Sequence, residues 1–154
     1  MKQIIAIALL LFLLSTRAQA QKYFKIVDAY SSLYVGGTPM SGSGTIYIVK
    51  VVLQTAQKVS FNDFWVKSDY GTPEVMSASY SDGRKLSKGD TVIVRYTIHA
   101  YPANSPMFQI PKPEYKKPPI PIQGEALIGF SVGKITRYRS VSKFSESKEP
   151  QSYP

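Results

Sequence analysis

The sequence predicts an all-β protein, an antiparallel β-sandwich of about seven to eight strands, with a small β-barrel as the alternative. Three observations lead there. Apolar and polar residues alternate with period two through the interior, and Gly, Asp and Pro punctuate the runs at short spacing. No window of a dozen residues carries the i, i+3, i+4, i+7 pattern of an amphipathic helix. Composition agrees: 11 Tyr, 11 Pro and 10 Gly favour strands and turns, while a 44% hydrophobic fraction supplies a core.

The chain opens on an export signal rather than on fold. Lys2 gives a positive start, Ile4 to Leu14 is an unbroken apolar run, and Ala18-Gln19-Ala20 matches a small-x-small cleavage site. A membrane span needs roughly 20 apolar residues, and this run is about half that length. The expected divisions are a signal peptide at 1–20, one β-sandwich domain at 21–142 and a flexible C-terminal tail at 143–154. Removing the signal takes away Lys2 and Arg17, and the mature domain remains basic. The expected location is therefore exported, periplasmic or extracellular, with no integral membrane segment after cleavage.

The strands follow in order. Tyr23 to Ala29 reads as a weak strand. Gly36-Gly37 and Ser41-Gly42-Ser43-Gly44 then mark turns before Thr45 to Leu53, which is apolar at nearly every position except Lys50. Such a run suits a strand covered on both faces. Val59 to Val66 carries Phe61, Phe64 and the single Trp65. Asp69-Tyr70-Gly71 and Pro73 break the chain, and Glu74 to Tyr80 is another weak strand. Ser81-Asp82-Gly83 and Lys88-Gly89-Asp90 lead into the clearest alternation, Thr91 to Ala100. There Val92, Val94, Tyr96 and Ile98 share one face, and Ile93, Arg95, Thr97 and His99 share the wetter one.

Seven prolines fall between Pro102 and Pro121, including Pro118-Pro119-Ile120-Pro121. Proline cannot donate to a strand ladder, so the stretch reads as a stiff crossover, with a partner-binding polyproline segment as the other reading. Gly133-Lys134 sits between Leu127–Val132 and Ile135–Val141, and a two-residue loop with Gly first fits a type II′ hairpin pairing Val132 with Ile135. Short strands at this spacing point to an immunoglobulin-like sandwich, although the cysteine pair of antibody domains is absent. The layout looks like that of many short secreted β-sandwich proteins, with no motif that carries a particular family.

Chemistry is constrained by what is missing. Zero cysteines exclude disulfides, thiolate metal sites and cysteine nucleophiles, and one histidine is too few for a His-based metal centre. His99 sits near the end of a strand with no carboxylate or hydroxyl spaced to serve it. Ser140 to Lys143 spells S-x-x-K by coincidence: acylating enzymes use it on a helix, whereas this segment alternates as a strand. The acidic residues are scattered, and Asp69, Asp82 and Asp90 serve as turn residues. The expectation is a non-enzymatic module with no catalytic residue, cofactor or metal, in a structural or protein-interaction role in the cell envelope or outside the cell. The alternatives are a lipid or small-ligand carrier and a hydrolase using two converging carboxylates.

One basic run stands out in a chain of net charge +9. Lys134, Arg137, Arg139 and Lys143 lie in ten residues without an acid. The candidate partner-binding residues are Arg137, Tyr138, Arg139 and Lys143, the cations on one parity of a strand and Tyr138 on the other. They would meet an acidic protein or another anionic envelope component, not nucleic acid. The rival reading is an edge strand kept soluble by charge.

Overall fold

The computed structural model describes residues 22–36, 42–77, 86–100, 116–147 and 151–153. The export signal at 1–20, residues 102–115 of the proline-rich stretch, and the turn at 81–83 lie outside the described residues. Among the described residues there are ten strands and no helix. They are β1 (Phe24–Gly36), β2 (Ser43–Leu53), β3 (Val59–Val66), β4 (Asp69–Gly71), β5 (Glu74–Ser77), β6 (Thr91–Ala100), β7 (Ala126–Val132), β8 (Ile135–Val141), β9 (Ser145–Glu146) and β10 (Gln151–Tyr153).

These form a six-stranded sheet in the order β10-β1-β2-β6-β5, with β9 also on β1, and a four-stranded sheet in the order β4-β3-β7-β8. Both sheets are open, so the barrel alternative is set aside. The strand count also exceeds the expected seven to eight. The excess comes from β4, β9 and β10, which are two or three residues long and too short to display alternation. The pairing is mainly antiparallel, but β9 and β10 run parallel to β1.

The inner faces of both sheets contribute to one core. Phe24 of β1 meets Phe61 of β3 and Phe130 of β7 edge-on, with ring centroids 5.3 and 4.9 Å apart. Phe64 of β3 stacks on Tyr96 of β6 at 5.2 Å. The alternation predicted for β6 is realised: Val92 and Val94 are fully buried, and Tyr96 and Ile98 pack against the same core. β2 is apolar on both faces for a visible reason. Tyr47, Val49, Val51 and Leu53 face the core, while Ile46 and Ile48 form a second cluster with Tyr34 on the outer side.

β1 is far longer than the sequence signal suggested. Its register slips between Ile26 and Asp28, leaving Val27 as an exposed bulge residue. The extra residue reverses the parity. Phe24 and Ile26 face inward before it, Ala29 and Ser31 after it, opposite Val49 and Tyr47. A uniform period of two fails across such a slip, and the second half of the strand loses its pattern. The hairpin at Gly133, by contrast, is as expected: φ is 61° at Gly133 and Val132 pairs with Ile135. The segment from residue 143, expected as a tail, sends Phe144 into the core and pairs Ser145 and Glu146 with β1. A single apolar residue among polar ones leaves no periodic trace.

Candidate functional site

β8 is the end strand of the four-stranded sheet, with β7 as its neighbour among the described residues. Register fixes where its side chains go. Arg137 lies opposite Phe130 and Arg139 opposite Ile128, both core residues, whereas Tyr138 lies opposite Gly129. Residues directly opposite in a ladder share a face. The two arginines thus share one side and Tyr138 the other, as the sequence parity required. The side they share is the core-facing one, at the rim, where both are half-buried. The Arg137 guanidinium lies 5.0 Å from the centroid of the Tyr23 ring, which packs against the core. Its stem covers apolar rim, and its Nε is buried there with it. Lys143 falls beyond the strand, exposed, and belongs to a different surface.

Tyr138 joins a cluster that sequence reasoning missed. Trp65 lies between Tyr70 and Tyr138, with ring centroids 5.1 and 6.0 Å away. The Trp65 indole N–H donates to the Lys116 carbonyl at 2.7 Å. The Lys116 ammonium donates to Asp63 Oδ1 at 3.0 Å and to the Tyr70 hydroxyl at 3.3 Å, and Tyr70 donates to Asp63 at 2.7 Å. The same ammonium lies 5.7 and 5.1 Å from the Trp65 and Tyr70 rings. The hydrogen bond to Asp63, and to a lesser degree burial, pushes the Tyr70 hydroxyl above its ordinary pKa. Lys116 is likewise raised, first by Asp63 and then by Tyr70. Lys116 opens the described return from the proline-rich stretch, so this cluster fixes the end of the link from β6 in one sheet to β7 in the other. Its parts come from residues 63 to 138, and no local spacing announces them.

A third feature is an open cleft of about 830 Å³ at one end of the two sheets. Ser31 and Tyr47 line it from the inner face of the larger sheet. Val66 lines it from the end of β3, Lys67, Ile122, Glu125, Lys143 and Phe144 from connections around the smaller sheet, and Glu146 from β9 beside β1. Tyr47 and Phe144 meet edge-on at 5.1 Å. The Glu125 carboxylate accepts the Phe144 backbone N–H at 2.8 Å, which holds the turn after β8. Burial, followed by the charges of Asp69 and Glu125, pushes the Tyr47 hydroxyl up, so it stays a neutral donor.

His99 is exposed on the outer face of the larger sheet, its Nδ1 hydrogen-bonded to the Tyr34 hydroxyl. Nearby Arg95 and Glu74 pair at 3.7 Å beside a hollow of about 190 Å³. Among the described residues, no three His, Asp or Glu side chains come together as metal ligands would. No protein-family model, no characterised protein and no solved structure matches the chain.

Proposed function

We propose that the protein is an exported, non-enzymatic module of immunoglobulin-like sandwich build, and that the β8 edge receives an extended acidic segment of a partner protein. The two open sheets, with the chain passing between them after β2, β4, β6 and β8, support the sandwich reading. The observation that carries the functional reading is the position of β8. It ends its sheet with Ile135 exposed at 58% and with Arg137 and Arg139 at the rim. An edge strand offers backbone groups to an added strand, and side chains then select the partner. Two β8 edges brought together would set arginines against each other, which opposes self-association. An acidic strand meets no such repulsion.

The test uses synthetic peptides that alternate Thr with Glu or Thr with Lys, added to the exported protein under hydrogen exchange. Slowed exchange of the 135–141 amides with the Glu peptide alone, weakened by salt, is the expected result. Equal protection by both peptides, or none along β8, would remove the edge from the account.

A further inference from the structure

We propose that the cleft between Tyr47, Lys67 and Phe144 binds a neutral, hydroxyl-rich ligand, a short saccharide. The site is separate from the β8 edge and goes beyond the interaction reading. Its volume, about 830 Å³, lies in the range of roughly 300–1,000 Å³ typical of small-ligand sites.

The lining determines the class. Two ammonium groups, Lys67 and Lys143, share the cleft with two carboxylates, Glu125 and Glu146. Lys67, Lys143 and Glu146 are exposed, and none of them forms an ion pair among the described residues. An anionic ligand would meet two carboxylates, and a cationic one would meet two ammonium groups. A hydroxyl group uses both signs, donating to a carboxylate and accepting from an ammonium, each a charge-assisted bond. Tyr47 adds a hydroxyl at the inner wall. Ile122, half-buried, and the small exposed parts of Tyr47 and Phe144 supply apolar surface for the C–H faces of a sugar ring.

Lys67 gives an independent reason to look here. Its φ is 54°, among the described residues the one non-glycine with positive φ. That conformation is sterically costly for a lysine and nearly free for glycine. Strain of this kind concentrates at functional positions. The turn between β3 and β4 places Lys67 in the cleft lining, and glycine would make the same turn without the ammonium.

The experiment is a titration of the exported protein with neutral oligosaccharides (malto-, cello- and N-acetylated chito-oligosaccharides), their uronic-acid counterparts, and Glu–Lys dipeptides, followed by NMR shifts and calorimetry. The expected result is binding of at least one neutral saccharide, with shifts at Tyr47, Lys67 and Phe144. Lys67→Gly should weaken that binding tenfold or more while leaving Tm unchanged or higher, because the substitution relieves the backbone. Arg139→Ser should leave it unchanged, which separates this site from β8. Preference for uronates or dipeptides, failure of every neutral saccharide at millimolar concentration, or unchanged affinity in Lys67→Gly would each overturn the proposal.

Discussion

Gly129 lies against Trp65 so closely that a Cβ on it would stand 3.2 Å from the indole Cζ3 and 2.9 Å from the Asp63 Cβ. The missing side chain leaves room beside β7 for the indole, whose N–H donates to the Lys116 carbonyl. Gly129→Ala should therefore cost about 1–3 kcal/mol through overpacking, although alanine is the better residue for an ordinary strand. Denaturant unfolding measures the loss, and Trp65 fluorescence should shift red as the indole is pushed outward. An unchanged midpoint would mean that the cluster adjusts freely.

The hydrogen-bonded set at Asp63 predicts an alkaline limit to stability. Tyr70 is raised from an ordinary value of 10.0 and Lys116 from 10.5, so both hold their proton more tightly in the fold than in the unfolded chain. Stability from the two groups is complete below about pH 10 and is lost as pH climbs through the raised values. Tyr47 and Tyr96, raised chiefly by burial, act in the same direction. Tm should be level between pH 7 and 9 and fall above about pH 10. Tyr70→Phe should lower the plateau by about 1 kcal/mol and make the alkaline fall shallower, since one of the linked protons is gone.

Within β1, two apolar residues three positions apart should behave very differently. Phe24 is fully buried at the junction of both sheets, and Phe24→Ala should cost about 3–5 kcal/mol. Val27, at the bulge and 51% exposed, should tolerate Ala within about 0.5 kcal/mol. Chemical denaturation of both variants checks the contrast. Similar losses would mean that the register slip is placed wrongly.

That contrast also marks what the sequence could reveal. β6 and the Gly133 hairpin were legible because their signals are local: an unbroken alternation, and a glycine followed by one residue before the next run. β1 was half legible, since one inserted residue inverted the parity that announces a strand. Phe144 was illegible, because its burial comes from the return of the chain to β1 and not from its neighbours in sequence. The parity of Arg137, Tyr138 and Arg139 could be read, but which parity faced the core depended on the register with β7. The Trp65–Lys116 cluster and the end cleft join residues tens of positions apart, and neither leaves a spacing signal.

The two arginines of β8 should separate stability from recognition. Arg137 lies over the Tyr23 ring, and Arg137→Ser removes both the cation–π contact and the stem that covers the rim. It should cost about 1 kcal/mol, within the range of roughly 0.5–2 kcal/mol for such contacts. Arg139 is also half-buried, but no ring lies beneath its guanidinium among the described residues, and Arg139→Ser should change stability by less. Arg137→Met should recover part of the loss by restoring an apolar stem without the charge. Thermal unfolding of the three variants orders them. The consequence for recognition is specific: a drop in acidic-peptide binding by Arg139→Ser at unchanged Tm reports the edge itself, whereas a drop seen only with Arg137→Ser, and undone by Met, would trace to packing against Tyr23.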